Sequence, residues 1–249
     1  MASDGHPMLR TEDGHAGGAP ESLAEFDPAT GTLLVAVDTC GALLHHAGLQ
    51  ERPPAGLNVH LDALRSCGAL DGVDPHPAVG RALQVIAAAT ATLVLLRGGA
   101  TARGWLGPDA STLSVPVSAH CLEMTCVAPG FVPGLLARLV ELKPRPTPGT
   151  GTIELSTADA ARLIAAGLGD PAADSADPRM TVGDHWVVEV SYADGATERC
   201  EVLDTEAGLY SLTAQGNVVS AAPVTATAVW RALVCLFASW TTGTDAPTG

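Results

Sequence analysis

The stretch Thr92-Leu-Val-Leu-Leu-Arg-Gly-Gly-Ala-Thr-Ala-Arg-Gly-Trp-Leu106 decides the fold of this chain. Two β-rich runs stand on either side of Gly98-Gly99, and a glycine pair in that position marks a turn between strands. Two more strands are predicted at Thr112–Val117 and Cys121–Val127, followed by a helix at Phe131–Leu142. The region is therefore predicted to be a four-stranded meander closed by a helix.

The same order of elements recurs between residues 187 and 237. Three strands and a turn at Gly216-Asn217 are predicted there, and a closing helix runs from about Thr225 to Phe237. Each closing helix follows a proline, at Pro129 and at Pro223. Two copies of about fifty residues are too few for a solenoid. We therefore interpret 92–142 and 187–237 as a degenerate duplication, with pseudo-two-fold symmetry in one central, mainly antiparallel sheet.

The predicted domain covers residues 31–240 and belongs to the α+β class. Residues 1–30 are predicted to be a disordered tail, because they are polar and Gly-rich and have few apolar side chains to bury. Residues 241–249 are predicted to be a second flexible tail. Pro/Gly-rich residues 143–151 are predicted to link the two copies. Helical spacing of apolar residues predicts two amphipathic helices before Thr92, and Ser156-Thr-Ala-Asp159 has the form of a capping box that opens a helix ending at Gly167.

Charge and hydropathy narrow the possible partners. The chain has 249 residues with 13 basic and 27 acidic side chains, a net charge near -14 that disfavours binding to nucleic acid. Its apolar runs are shorter than the roughly 20 residues that a membrane-spanning helix needs. Six cysteines without an apolar leader sequence indicate a reducing compartment. We therefore expect a cytoplasmic protein with no membrane insertion and no nucleic-acid partner.

No constellation of reactive residues is complete enough to predict catalysis. His45, His46 and Cys40 do not reach the four ligands of a closed zinc site, and no Gly-x-Ser-x-Gly elbow is present. The glycine pairs lack the Lys-Ser/Thr that follows a phosphate-binding loop. We predict no cofactor, no metal and no catalytic residue. An enzyme whose site residues are dispersed along the sequence stays an alternative.

Two tryptophans bear on binding. Trp230 lies at helical spacing with Val234 and Phe237, which favours packing in the core. Trp105 stands next to Gly104 and near Arg103 in the predicted hairpin, where contact with a partner is as plausible as core packing.

Several motifs resemble one known family. They are Leu64-Arg-Ser-Cys-Gly-Ala-Leu-Asp-Gly72, His76-Pro-Ala-Val79, Ala82-Leu-Gln-Val-Ile86, Arg103-Gly-Trp-Leu106, Leu136-Ala-Arg-Leu-Val-Glu-Leu142 with Pro144-Arg-Pro146, and Val202-Leu-Asp-Thr-Glu-Ala-Gly-Leu-Tyr210. Together they resemble the actinobacterial EspG family, which is associated with ESX (type VII) secretion. The similarity covers about residues 31–240.

The resemblance implies a cytosolic chaperone with a central sheet flanked by two helical bundles. Such a protein binds the helical tip of a PE/PPE substrate, or of a WXG100-like helical hairpin, and keeps it soluble for export. A chaperone needs an exposed surface for apolar helix ends. Our candidates for contact with the partner are Arg97, Arg103, Trp105 and Tyr192. A domain that only stabilises a larger assembly is a further alternative.

Overall fold

The computed structural model describes residues 23–147, 149, 151–167 and 182–241. Eleven of the strands in these ranges form one large antiparallel sheet, and six α-helices accompany them. The predicted α+β class with a central antiparallel sheet is therefore confirmed. None of the described helices is both long enough and apolar enough to cross a membrane.

The element bounds follow the chain. The strands are β1 (Ala24–Asp27), β2 (Thr32–Ala36), β3 (Leu70–Asp71), β4 (Asp74–Pro75), β5 (Ala91–Arg97), β6 (Ala100–Leu106), β7 (Ser111–Ser118), β8 (Cys121–Val127), β9 (Ile153–Ser156), β10 (Val182–Tyr192), β11 (Thr197–Thr205), β12 (Gly208–Gln215) and β13 (Val218–Val224). The helices are α1 (Val37–His46), α2 (Leu57–Ser66), α3 (Pro77–Ala87), α4 (Val132–Leu139), α5 (Thr157–Gly167) and α6 (Ala226–Thr241).

The chain forms two compact units. The first contains Met1–Ala87 and Leu113–Cys126, and the second contains Ala88–Thr112 and Val127–Gly249. In the first unit the strand order is β1-β2-β8-β7. Leu33 and Val35 of β2 pack with Leu43 of α1, Leu64 of α2 and Val79 of α3 in one buried cluster, so the core of this unit lies between the sheet and its three helices.

In the second unit the strand order is β6-β5-β10-β11-β12-β13-β9. The long strand β10 pairs with β5 on one side and β11 on the other, which places it in the interior of the sheet. A strand in the interior of a sheet has apolar side chains on at least one of its faces. Strand β10 accordingly buries Trp186, Val188 and Val190.

Both predicted copies contain four strands followed by a helix. Strands β5 to β8 precede α4 in one span, and β10 to β13 precede α6 in the other. The turn between β5 and β6 is made by Gly98 and Gly99 with φ of 55° and 78°, a left-handed conformation that favours glycine. Superposition of the two spans about a two-fold axis stays a prediction, and so does the single domain at 31–240.

Helices α4 and α6 cover one face of the sheet in the second unit. We call it the helix-covered face, and it carries Trp186, Val188, Val190 and Tyr192 of β10. Helix α6 contacts both β11 and α4, and the Tyr192 hydroxyl donates a hydrogen bond to the Leu236 carbonyl of α6 at 2.7 Å. On the opposite face, Leu163 of α5 lies in a buried cluster with residues of β11, β12 and β13.

The predicted N-terminal tail is partly wrong. Residues 24–27 form β1, which pairs with β2, and Ala24 and Phe26 contribute to the core of the first unit. A strand of four residues has little pattern of its own and depends on its partner strand, so composition alone could not detect it. The predicted tail at 241–249 begins one residue too early, because Thr241 is the last residue of α6. Residues 1–22, 168–181 and 242–249 lie outside the described residues.

Candidate partner-binding surface

One face of strands β5 and β6 is largely uncovered. Side chains alternate between the two faces of a strand, so Thr92, Val94 and Leu96 lie on the same face. In the antiparallel register they pair across the strands with Trp105, Arg103 and Thr101 of β6, respectively. We call these six residues the open face. Four are exposed and the other two, Val94 and Trp105, are half-buried.

Arg103 and Trp105 lie side by side on the open face. They are two residues apart on β6, whereas the intervening Gly104 and the flanking Ala102 and Leu106 are buried on the opposite side. Among the described residues, Arg103 makes no ion pair. Leu96 on β5 is 46% exposed, a large fraction for a strand leucine. The open face therefore combines an aromatic ring, apolar side chains and an uncompensated cation.

On the neighbouring strands β10 and β11, the same side of the sheet carries a row of ion pairs. Val94 pairs in register with Glu189, and Glu189 with Arg199, whose guanidinium lies 3.6 Å from the Glu189 carboxylate. Arg199 also binds Glu201 at 2.8 Å, and His185 Nε2 lies 2.9 Å from the Glu201 carboxylate. Burial alone would raise the pKa of Glu201, but the hydrogen bonds from His185 and Arg199 outweigh it and lower the pKa. This polar row borders the apolar part of the open face.

Arg97 lies on the opposite side of the sheet from Arg103. Its register partner is Trp186, on the helix-covered face. The guanidinium donates to Asp184 Oδ2 at 2.6 Å, to the Leu139 carbonyl at the end of α4 at 2.6 Å, and to Glu141 Oε1 at 3.1 Å. Burial opposes its charge, but the hydrogen bond and the charge of Asp184 raise the pKa of Arg97. These contacts tie the end of α4 to the sheet.

Tyr192 also belongs to the helix-covered face, where its hydroxyl contacts α6. The four predicted contact residues are therefore divided: Arg103 and Trp105 share the open face, while Arg97 and Tyr192 hold helices against the other face. Sequence spacing could not reveal this division, because Arg97 and Arg103 flank one hairpin and only its register assigns them to a side. Their role in binding a partner stays a prediction.

The histidines that invited a metal hypothesis have other contacts. His45 Nδ1 lies 2.9 Å from the Gln50 carbonyl oxygen, and His46 Nε2 lies 2.7 Å from the Val73 carbonyl oxygen. Cys40 is buried, and burial raises its thiol pKa to about 11. In the described part of the chain, no group of three or more His, Cys, Asp or Glu side chains could hold a metal ion.

Trp230 differs from the prediction that placed it in the core. It is 40% exposed and Val234 is 39% exposed, whereas the residues that α6 buries are Val229, Leu233, Leu236 and Phe237. Of Trp105, Trp186 and Trp230, whose burial the structure describes, the fully buried one is Trp186, which is 1% exposed. Trp230 and Val234 therefore lie at the edge of the buried stripe of α6, where each keeps part of its side chain exposed.

A solved structure has a similar fold. It is the type VII secretion system chaperone EspG5 of Mycobacterium tuberculosis in complex with the PE25-PPE41 dimer, which matches with a TM-score of 0.56 and 14% sequence identity. The match covers 82% of this chain and 94% of that chain, so it extends over both units described above. No family model and no curated protein sequence matches the chain. The fold is thus EspG-like, as the sequence resemblance implied.

Proposed function

We propose that the protein is a cytosolic, non-enzymatic chaperone that binds the helical tip of a type VII secretion substrate. The substrate is a PE/PPE or WXG100-like helical protein, which the chaperone keeps soluble until export. The observation that carries the proposal is the open face. Leu96 is exposed there and Trp105 is half-buried, so this face of the sheet offers apolar area to a partner.

The chemistry of the open face fits the end of a helical hairpin. Trp105, Val94 and Leu96 provide an apolar centre, and aromatic anchors of this kind dominate the energy of binding. Arg103 provides a cation at the edge of this centre, which suits the carbonyl groups at the C-terminus of a helix or a carboxylate near it. The EspG5 structure supports the proposal because that chaperone was solved in complex with the PE25-PPE41 dimer.

Co-expression tests the proposal. The chain is produced together with the small helical proteins encoded beside its gene, and the mixture is separated by size exclusion. We expect the chain to co-elute with a helical partner, to increase the soluble fraction of that partner, and to lose it on Trp105→Ala substitution.

Val218→Ala is the matched control, since Val218 is an exposed apolar strand residue outside the open face. Retention of the partner by Trp105→Ala as strongly as by Val218→Ala would contradict the proposed site. Failure of every neighbouring helical protein to co-elute would favour the alternatives, an enzyme with a dispersed site or a structural domain of a larger assembly.

A further inference from the structure

The open face continues in register onto the neighbouring strand β10. Val94 of β5 lies directly opposite Arg103 of β6 on one side and Glu189 of β10 on the other. Residues paired in this way share one face of a sheet, so these three side chains form a row across three strands. We call it the Arg–Val–Glu row. Neighbouring strands lie about 4.8 Å apart, which separates the backbones of Arg103 and Glu189 by about 10 Å.

Both ends of this row have charge that the fold does not fully neutralise. Arg103 is exposed and has no ion pair within the described part of the chain. The Glu189 side chain is 41% exposed, and its ion pair with Arg199 is long, at 3.6 Å. Arg199 makes its shorter contact, at 2.8 Å, with Glu201. The row therefore presents a cation and an anion to a partner, on either side of the half-buried Val94.

The tip of a helical hairpin has the complementary charges at the same spacing. At the tip the first helix ends and the second helix begins, and the axes of two packed helices are about 8–10 Å apart. The C-terminal end of a helix has a partial negative charge and the N-terminal end a partial positive charge, each of about half an elementary charge. The distance between the two helix ends thus equals that between Arg103 and Glu189.

We propose that the Arg–Val–Glu row sets the orientation in which a helical hairpin binds to the open face. The first helix of the hairpin ends over Arg103, and the second helix begins over Glu189. Apolar side chains of the connecting loop cover Val94, Leu96 and Trp105. The opposite orientation would bring like charges together at both ends of the row. This inference rests on the proposed function, to which it adds the polarity of the partner.

The orientation defines which hairpins fit the open face. Helices commonly have Lys or Arg in the last turn and Asp or Glu in the first turn, because these side chains compensate the charges of the helix ends. On this row, a basic last turn would face Arg103 and an acidic first turn would face Glu189, each with a like charge. The hairpin that binds best therefore has an acidic residue where its first helix ends and a basic residue where its second helix begins.

Two synthetic helical hairpins test the orientation with the full wild-type chain. They have the same apolar loop, composition and net charge. The first has glutamate in the last turn of its first helix and lysine in the first turn of its second helix, and the second hairpin exchanges these two residues. Fluorescence anisotropy measures the dissociation constants. We expect the first hairpin to bind at least ten-fold more tightly, and the difference to shrink at about 0.5 M salt because salt screens exposed charges.

An exchange of charges on the protein gives the reciprocal test. We expect the double variant Arg103→Glu with Glu189→Arg to prefer the second hairpin. Arg81→Glu with Glu206→Arg is the matched control, since it exchanges two exposed charges outside the open face and should keep the original preference. Trp105→Ala should weaken the binding of both hairpins by the same factor, because it removes apolar contact and no charge.

The outcomes distinguish this inference from the proposed function. Equal affinities for two hairpins that both depend on Trp105 would overturn the orientation and leave the proposed site intact. So would a preference that the exchange of Arg103 and Glu189 leaves unchanged. Absence of binding by either hairpin would contradict the site itself and the orientation with it. A wild-type dimer that Trp105→Ala dissociates would do the same, because a second copy would then cover the open face.

Discussion

The backbone N–H of Thr157, the first residue of α5, donates a hydrogen bond to the Asn217 carbonyl oxygen at 3.1 Å. Asn217 belongs to the turn between β12 and β13. In the first unit, the N–H of Val37 at the start of α1 donates to the His120 carbonyl oxygen in the turn between β7 and β8, also at 3.1 Å. In each case a strand that pairs with the last strand of a meander runs directly into a helix. The predicted duplication can thus be extended to β2–α1 and β9–α5, which repeat this arrangement.

The start of α5 depends on one side chain. Ser156 Oγ accepts a hydrogen bond from the Asp159 N–H at 3.1 Å and donates one to the Asp159 carboxylate at 2.6 Å. We expect Ser156→Ala to lower the free energy of unfolding by about 1 kcal/mol, the usual cost of losing a helix cap. Urea denaturation followed by circular dichroism measures the change. Ser156→Thr is the control that keeps a hydroxyl able both to accept from the Asp159 N–H and to donate to its carboxylate, and it should recover most of the loss.

Arg97 should be important for stability. Arg97→Ala leaves the partly buried Asp184 carboxylate without its ion-pair partner and removes the hydrogen bond to the end of α4. We expect a loss of about 2–3 kcal/mol in the free energy of unfolding, somewhat below the value for a fully buried pair. A double-mutant cycle with Asp184→Ala isolates the pairwise interaction. A loss below about 0.5 kcal/mol would show that the pair behaves as an exposed one.

Trp105 and Arg103 should affect partner binding in different ways. Truncating an interface tryptophan costs about 2–4 kcal/mol, so Trp105→Ala should weaken binding roughly 30- to 1000-fold through faster dissociation. Arg103→Ala should mainly slow association at low salt. Surface plasmon resonance with the co-purified partner distinguishes the two, and Arg81→Ala on α3 is the control for loss of a surface charge. A large fall in melting temperature for Trp105→Ala would instead identify Trp105 as a core residue.

Thiol reactivity should follow burial. Burial raises the thiol pKa values of Cys40 and Cys200 to about 11, whereas Cys235 is exposed. At pH 8 only about one in a thousand of the buried thiols is ionised, and the thiolate is the reactive form. We expect iodoacetamide to modify Cys235 first and to reach Cys40 and Cys200 only on unfolding, as measured by peptide mass spectrometry. Rapid modification of Cys40 in the native protein would contradict its position in the core.

Local signals in the sequence predicted several elements well. The capping box at Ser156 fixes the start of α5, and Gly98 with Gly99 fixes the turn between β5 and β6, because each depends on neighbouring residues alone. Strand β1 depends on pairing with β2 and could not be found in this way.

The face of α6 could not be assigned by periodicity. Trp230 and Val234 recur at helical spacing, but so do Val229, Leu233 and Leu236 with Phe237, and both sets are apolar. Only the packing of the folded chain distinguishes the buried set from the exposed one. In the same way, Arg97 and Arg103 could not be assigned to opposite faces before the register of β5 and β6 was known.

The two outermost strands, β1 and β9, control whether the sheet can grow. Each is four residues long; β1 contains the carboxylates of Glu25 and Asp27, and β9 contains that of Glu154. An outer strand with unpaired backbone groups can recruit a strand from another molecule, and short length and charge both oppose this recruitment. A protein with eleven strands in one sheet would otherwise be a template for fibre formation. Short length and these carboxylates therefore oppose the addition of a further strand at either edge of the described sheet.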